Sequence, residues 1–137
     1  MSKSIPSISK YMTMVPTTIE PGATLAAAAV SMKEHRVRHL PVVNGDGDLL
    51  GIISERDISF VQSFSIVDPL QVTVGGAMIE KPYIVGPDTP LDEVVATMAE
   101  HKYGSAVIVQ NKQVVGVFTT VDACRALSEL LSSRLKN

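Results

Sequence analysis

A single cysteine, Cys124, in 137 residues leaves no partner for an internal disulfide and no basis for a thiolate metal cluster. Tryptophan is missing, and three Tyr and three Phe are the only aromatic side chains, so a core has to come from Val, Ile, Leu, Met and Ala. Excess charge of either sign is missing too. Twelve basic residues against fourteen acidic ones give a net charge of −2, which supplies no field for nucleic acid or an anionic membrane. The longest aliphatic run, 25–30, falls far short of the roughly 20 residues that a bilayer-spanning helix needs. The start of the chain, Met1 to Pro6, lacks the apolar stretch of a secretory leader. Together these absences predict a soluble, cytoplasmic protein without membrane or nucleic-acid partners. What is present, 45% hydrophobic and 19% charged residues, is the composition of a folded globule of about one domain.

The chain is written twice. A shift of 66 positions lays Met12 on Met78, Pro16 on Pro82, Pro21 on Pro87, Leu25 on Leu91, Met32 on Met98 and His35 on His101. One residue is lost in a turn, and a shift of 65 then lays Gly51-Ile52-Ile53-Ser54-Glu55-Arg56-Asp57 on Gly116-Val117-Phe118-Thr119-Thr120-Val121-Asp122. Each copy predicts a short extended piece (17–19; 83–85) and then a helix with apolar residues at three-to-four spacing. These are Leu25, Ala28, Ala29 and Met32 in one copy, and Leu91, Val94, Val95 and Met98 in the other. Thr89-Pro90 reads as an N-cap followed by proline at the first helical position. Two strands follow, 39–43 and 49–54, joined through Asn44-Gly45-Asp46-Gly47, with counterparts 105–109 and 114–119 joined through Asn111-Lys112. A second helix closes each copy, the last one running over 121–136. The predicted fold is mixed α/β (α+β): two β-α-β-β-α repeats at 8–61 and 74–128, a connector at 62–73 and a helical extension at 129–137. Pseudo-two-fold packing of the repeats would create two equivalent clefts between them, a favoured setting for small ligands.

The doubled pattern, the strand His39-Leu40-Pro41-Val42-Val43 and the repeated Gly-h-x-Ser/Thr-x-x-Asp resemble a tandem pair of CBS domains, the family named after cystathionine β-synthase. The resemblance runs from about residue 8 to about residue 127. With no catalytic, channel or transporter segment appended, a free-standing pair is expected. Such pairs bind adenosine-containing ligands (AMP, ADP, ATP or S-adenosylmethionine) in the clefts between repeats and regulate other proteins. The resemblance thus implies a non-catalytic sensor of an adenine nucleotide with no resident cofactor. An adaptor with vestigial clefts that docks a partner is the alternative.

Ser54 with Asp57, and Thr119 with Asp122, have capping-box spacing at a strand-to-helix junction. Capping does not exclude binding, because a carboxylate there can accept both hydroxyls of a ribose while helix amides face a phosphate. In the family this Asp does hold the ribose. The first copy adds Arg56, Arg38 and His39 where the second has Val121, Gly104 and Ser105. Hydrogen bonds to a charged group are worth about 1.5–3 kcal/mol each, so the phosphate is expected beside Asp57. By the resemblance, Tyr103 and Gly104 from the opposite copy, with Tyr83 and Met78, form the adenine wall of that cleft. Stacking on Tyr103 would add about 1–3 kcal/mol, although the same ring could simply fill the interface between copies. A weaker second cleft would use Asp122, Thr119, Thr120, Val37, Thr17 and Met12.

His35 and His101 read as helix C-terminal caps rather than metal ligands, since neither helix offers a second His or Cys at ligand spacing. Cys124 reads as a small core residue. Leu127, Leu130, Leu131 and Leu135 form a stripe on the last helix; Leu130, Leu131 and Leu135 could reach a second chain, and a homodimer is expected. No nucleophile–base pair, metal cluster or Gly-rich phosphate loop points to an enzyme.

Overall fold

The computed structural model describes residues 4–14, 17–64 and 66–135. Pro16 of the repeat and Lys136 of the expected last helix lie outside the described residues. The chain divides into two compact units. A first-repeat unit takes the described residues from 17 to Pro82 together with Lys112–Val114. A second-repeat unit takes the described residues up to Met14, then Tyr83–Asn111, and then Val115 onward.

In the first-repeat unit, Thr24 starts helix α1 (Leu25–His35) by accepting a hydrogen bond from the Ala27 amide at 3.1 Å. The helix ends where Arg36 turns left-handed at φ 55°. Strands β2 (His39–Val43) and β3 (Leu49–Ser54) pair antiparallel, as their spacing predicts. Their turn is held by Asn44, whose Oδ1 accepts from the amides of Asp46 and Asp48, both at 2.9 Å. Ile19 is the whole of the expected first strand, a single parallel bridge to Val42. Helix α2 (Glu55–Gln62) follows β3 directly. Two short elements that the spacing does not reveal complete the unit: α3 (Val74–Ala77) and β4 (Ile79–Glu80), the latter antiparallel to β3. Leu25, Ala28 and Met32 of α1 close over Leu40, Val42, Ile53, Ile58 and Val74 as one buried core.

The second-repeat unit repeats this plan on a four-stranded sheet. Its order is β1 (Thr13–Met14), β7 (Gln113–Thr119), β6 (Ser105–Gln110), β5 (Ile84–Val85), with β5 parallel to β6 and β1 antiparallel to β7. Asn111 and Lys112, both at positive φ, make the two-residue loop between β6 and β7. Helix α4 (Leu91–His101) buries Leu91, Val94 and Met98, the same three positions that α1 buries. Its start differs from expectation. Pro90 stands at the N-cap, not inside the helix, and its carbonyl accepts the first helical bond from Val94 at 3.2 Å. Thr89 is thereby displaced outside the helix, and its carbonyl accepts from the Ile8 amide at 2.8 Å. The core joins these α4 residues to Ile8, Ala106, Ile108, Phe118 and Ala126.

Helix α5 (Thr120–Arg134) closes the unit. Of the expected leucine stripe only Leu130 leans on the core, while Leu127, Leu131 and Leu135 are exposed. Cys124 is exposed as well, contrary to the core role expected for it. Asp122 and Ala126, one turn apart, mark the inward line of the helix, and Cys124 lies halfway round from both. Among the described residues no helix is long and apolar enough to cross a membrane.

Candidate functional site

Both capping boxes form. In the first-repeat unit the Ser54 amide donates to Asp57 Oδ2 at 2.8 Å, and the Asp57 amide donates to Ser54 Oγ at 3.1 Å. In the second, the Thr119 amide donates to Asp122 Oδ2 at 2.9 Å and the Asp122 amide to Thr119 Oγ1 at 3.3 Å. The two carboxylates then diverge. Asp57 is half-buried, and its Oδ1 accepts no hydrogen bond from any described residue. Asp122 is 4% exposed, and its Oδ1 accepts from Thr13 Oγ1 at 3.1 Å and from the Arg125 guanidinium at 3.2 Å. The Thr119 hydroxyl adds a further bond to Oδ2 at 3.2 Å.

Strand register gathers the charged residues of the first copy at one end of the β2–β3 hairpin. His39 lies opposite Ser54, and the Arg38 carbonyl accepts from the Glu55 amide at 2.9 Å. Arg38 and Glu55 side chains face each other at 4.0 Å, both largely in solvent, where such a pair is worth little. They also line an open groove of about 540 Å³ between α1 and α2, with Lys33 and Arg36 on its rim and Met32 and Ile58 in its floor. Arg56 is exposed and forms no ion pair among the described residues. Arg38, His39, Ser54, Arg56 and Asp57 therefore come together within one unit. Met78 lies farther along, half-buried against the same core, with its side chain crossing Gly51.

Tyr83, Tyr103 and Gly104 belong to the second-repeat unit. The Tyr103 ring stacks on Tyr83 with centroids 5.3 Å apart and on His101 at 5.1 Å. The Gly104 carbonyl accepts from the Thr120 amide at 3.2 Å, the counterpart of the Arg38–Glu55 bond. Thr120 is exposed. Val37 and Thr17 belong to the first-repeat unit, where Val37 packs on the core and the Thr17 hydroxyl donates to the Thr18 carbonyl at 3.2 Å. Met12 packs on the second core.

Three contacts escape the motif reading: Thr13 and Arg125 on Asp122, and His101 on Tyr103. The repeat alignment carries a signal for the first two, since it sets Ile79 against Thr13 and Phe60 against Arg125. Neither Ile nor Phe can donate a hydrogen bond, so Asp57 has no equivalent of either contact. The histidines stand at the C-terminal ends expected of them. Each is the last residue of its helix, but the left-handed cap positions belong to Arg36 and Lys102. His35 Nδ1 lies 2.9 Å from the Ser31 carbonyl.

The doubled β-hairpin with a capped helix at each Gly-h-x-Ser/Thr-x-x-Asp has counterparts among known proteins. The family model described as the CBS domain matches residues 8–63 and again 74–129. Protein YlbB of Bacillus subtilis (strain 168) is 37% identical over 108 residues, covering 78% of this chain and 71% of YlbB. A CBS domain pair solved with 5′-methylthioadenosine and S-adenosyl-L-methionine superposes with a TM-score of 0.83 at 24% identity, over 93% of this chain and 99% of that one. The structure of CBSX2 in complex with AMP superposes at 0.78 with 22% identity, over 91% and 98% of the two chains. The fold is that of a tandem CBS pair, and the chain belongs to the CBS domain family.

Proposed function

We propose that this chain is a non-catalytic regulatory module that binds an adenosine-containing ligand, one of AMP, ADP, ATP or S-adenosylmethionine, through Asp57. The observation that carries the reading is Asp57 Oδ1, which accepts no hydrogen bond from any described residue and stands at the head of α2 beside Arg38, His39 and Arg56. One carboxylate oxygen holds the cap while the other is available for a vicinal diol. The two cations with His39 supply phosphate donors. The adenosine ligands in two related folds support the same chemistry. Tyr103, Tyr83, Gly104 and Met78 are assigned to the base, and Asp122, Thr119, Thr120, Val37 and Thr17 to a weaker second position. The exposed Leu127, Leu131 and Leu135 support a homodimer in solution.

Thermal unfolding with each nucleotide near millimolar concentration tests the reading. A ligand at about a hundred times its Kd adds about 2.7 kcal/mol, a rise of several degrees for a chain of this size. We expect a shift with one ligand class and its loss in Asp57→Ala, with circular dichroism showing that variant folded. No shift with any nucleotide would favour the adaptor reading, in which the surface of the module and not a ligand site carries the function.

A further inference from the structure

The two repeats carry the same Asp in the same capping box, yet one carboxylate is engaged on both oxygens and the other on one. We infer that Asp122 is self-liganded: Thr13 and Arg125 occupy, from within the chain, the carboxylate oxygen that a ribose would need, so that the chain takes one nucleotide at Asp57 and the second position is weakened by its own side chains. The inference rests on the reading of Asp57 given above and adds the device that makes the two copies unequal.

The chemistry follows from acceptor counting. A carboxylate offers two oxygens. At Asp122, Oδ2 is filled by the amide and the hydroxyl of Thr119, and Oδ1 by the Thr13 hydroxyl and the Arg125 guanidinium. Asp122 is also buried, so a diol must displace both donors before it can bond. At Asp57 only Oδ2 is used by the cap. Ile79 and Phe60 stand at the positions corresponding to Thr13 and Arg125, so nothing equivalent can be displaced there. Arg125 is well suited to the role of intramolecular competitor. Its side chain is 69% exposed, anchored on its own helix three residues from Asp122, and can swing into solvent with no change in packing. Thr13 is brought in by β1, which pairs with β7 just ahead of the Asp122 helix.

Isothermal titration calorimetry with AMP, and in parallel with S-adenosylmethionine, tests this on the full chain. Wild type is expected to bind one nucleotide per chain. The variant T13V/R125A keeps the volume at residue 13 and removes both donors; it is expected to bind two, the second at least tenfold tighter than any second binding in wild type. Adding Asp122→Ala should abolish the gain. R125A alone changes only an exposed side chain and should give part of it, which covers failure of the double variant to fold. Two equal sites in wild type, or an unchanged single site in T13V/R125A and R125A, would overturn self-ligation and leave the Asp57 reading standing. Binding by T13V/R125A but not by wild type would uphold self-ligation and overturn Asp57 as the nucleotide position. No binding by any variant would overturn both.

Discussion

At the scale of single residues, two glycines show why the repeated motif begins as it does. A Cβ on Gly51 would stand 2.6 Å from the Ile79 carbonyl oxygen, and one on Gly116 3.0 Å from that of Thr13 and 2.6 Å from Met12 Sδ. Both glycines let a short strand lie close against the middle of a longer one. Gly51→Ala should destabilise the chain by about 1–3 kcal/mol, because the obstacle is backbone that cannot move aside. Gly116→Ala should cost less, since the nearest obstacle is the end of a flexible methionine. Urea unfolding of both variants reads the order; equal stability to wild type at Gly51 would mean that β4 is not held against β3. The Asp pair was legible at this scale as two equivalent capping residues. The difference in their hydrogen bonds was not, because one donor to Asp122 is a threonine 109 positions away that only strand pairing brings within 3.1 Å.

Among the elements, the spacing of apolar residues predicts α1, α4 and the two hairpins, and His39–Val43 and Leu49–Ser54 match to the residue. Each is long enough, or has turn chemistry definite enough, to be specified locally. The elements that escape, α3, β1 and β4, have four, two and two residues. Such lengths are below what local propensity can hold, so their conformation comes from the strand or core they meet. Helix α5 shows a different limit. Its periodicity locates a leucine face but does not say which part of that face is covered. Within the chain only Leu130 is, leaving Leu127, Leu131 and Leu135 in solvent. We expect sedimentation velocity to give a dimer, and L131E/L135E to give a monomer with helicity retained. A monomer in both cases would remove α5 as the dimer face.

For the whole molecule, the repeat in the sequence and the compact unit in space do not coincide. The described residues up to Met14 precede the first helix of copy one, yet they pack with copy two. Ile8 is fully buried there, the Leu91 amide donates to the Pro6 carbonyl at 2.9 Å, and β1 edges the second sheet. Deleting the chain through Met14 should therefore weaken the second-repeat unit. Loss of Ile8 alone is worth about 2–5 kcal/mol by analogy with large-to-small core changes. Hydrogen exchange is expected to show β7 amides losing protection before those of β3. Faster exchange in β3 first, or no change in β7, would contradict this placement of the N-terminal segment.

The sequence by itself determined the duplication, the family resemblance and the two capped helices, because each rests on local spacing or on residues that recur in register between copies. Tertiary structure alone decided where the segment of residues 4–14 packs, which leucines of α5 remain uncovered and which carboxylate oxygen is already taken. Those outcomes depend on contacts between residues far apart in the chain, and no local pattern encodes which distant donor arrives first.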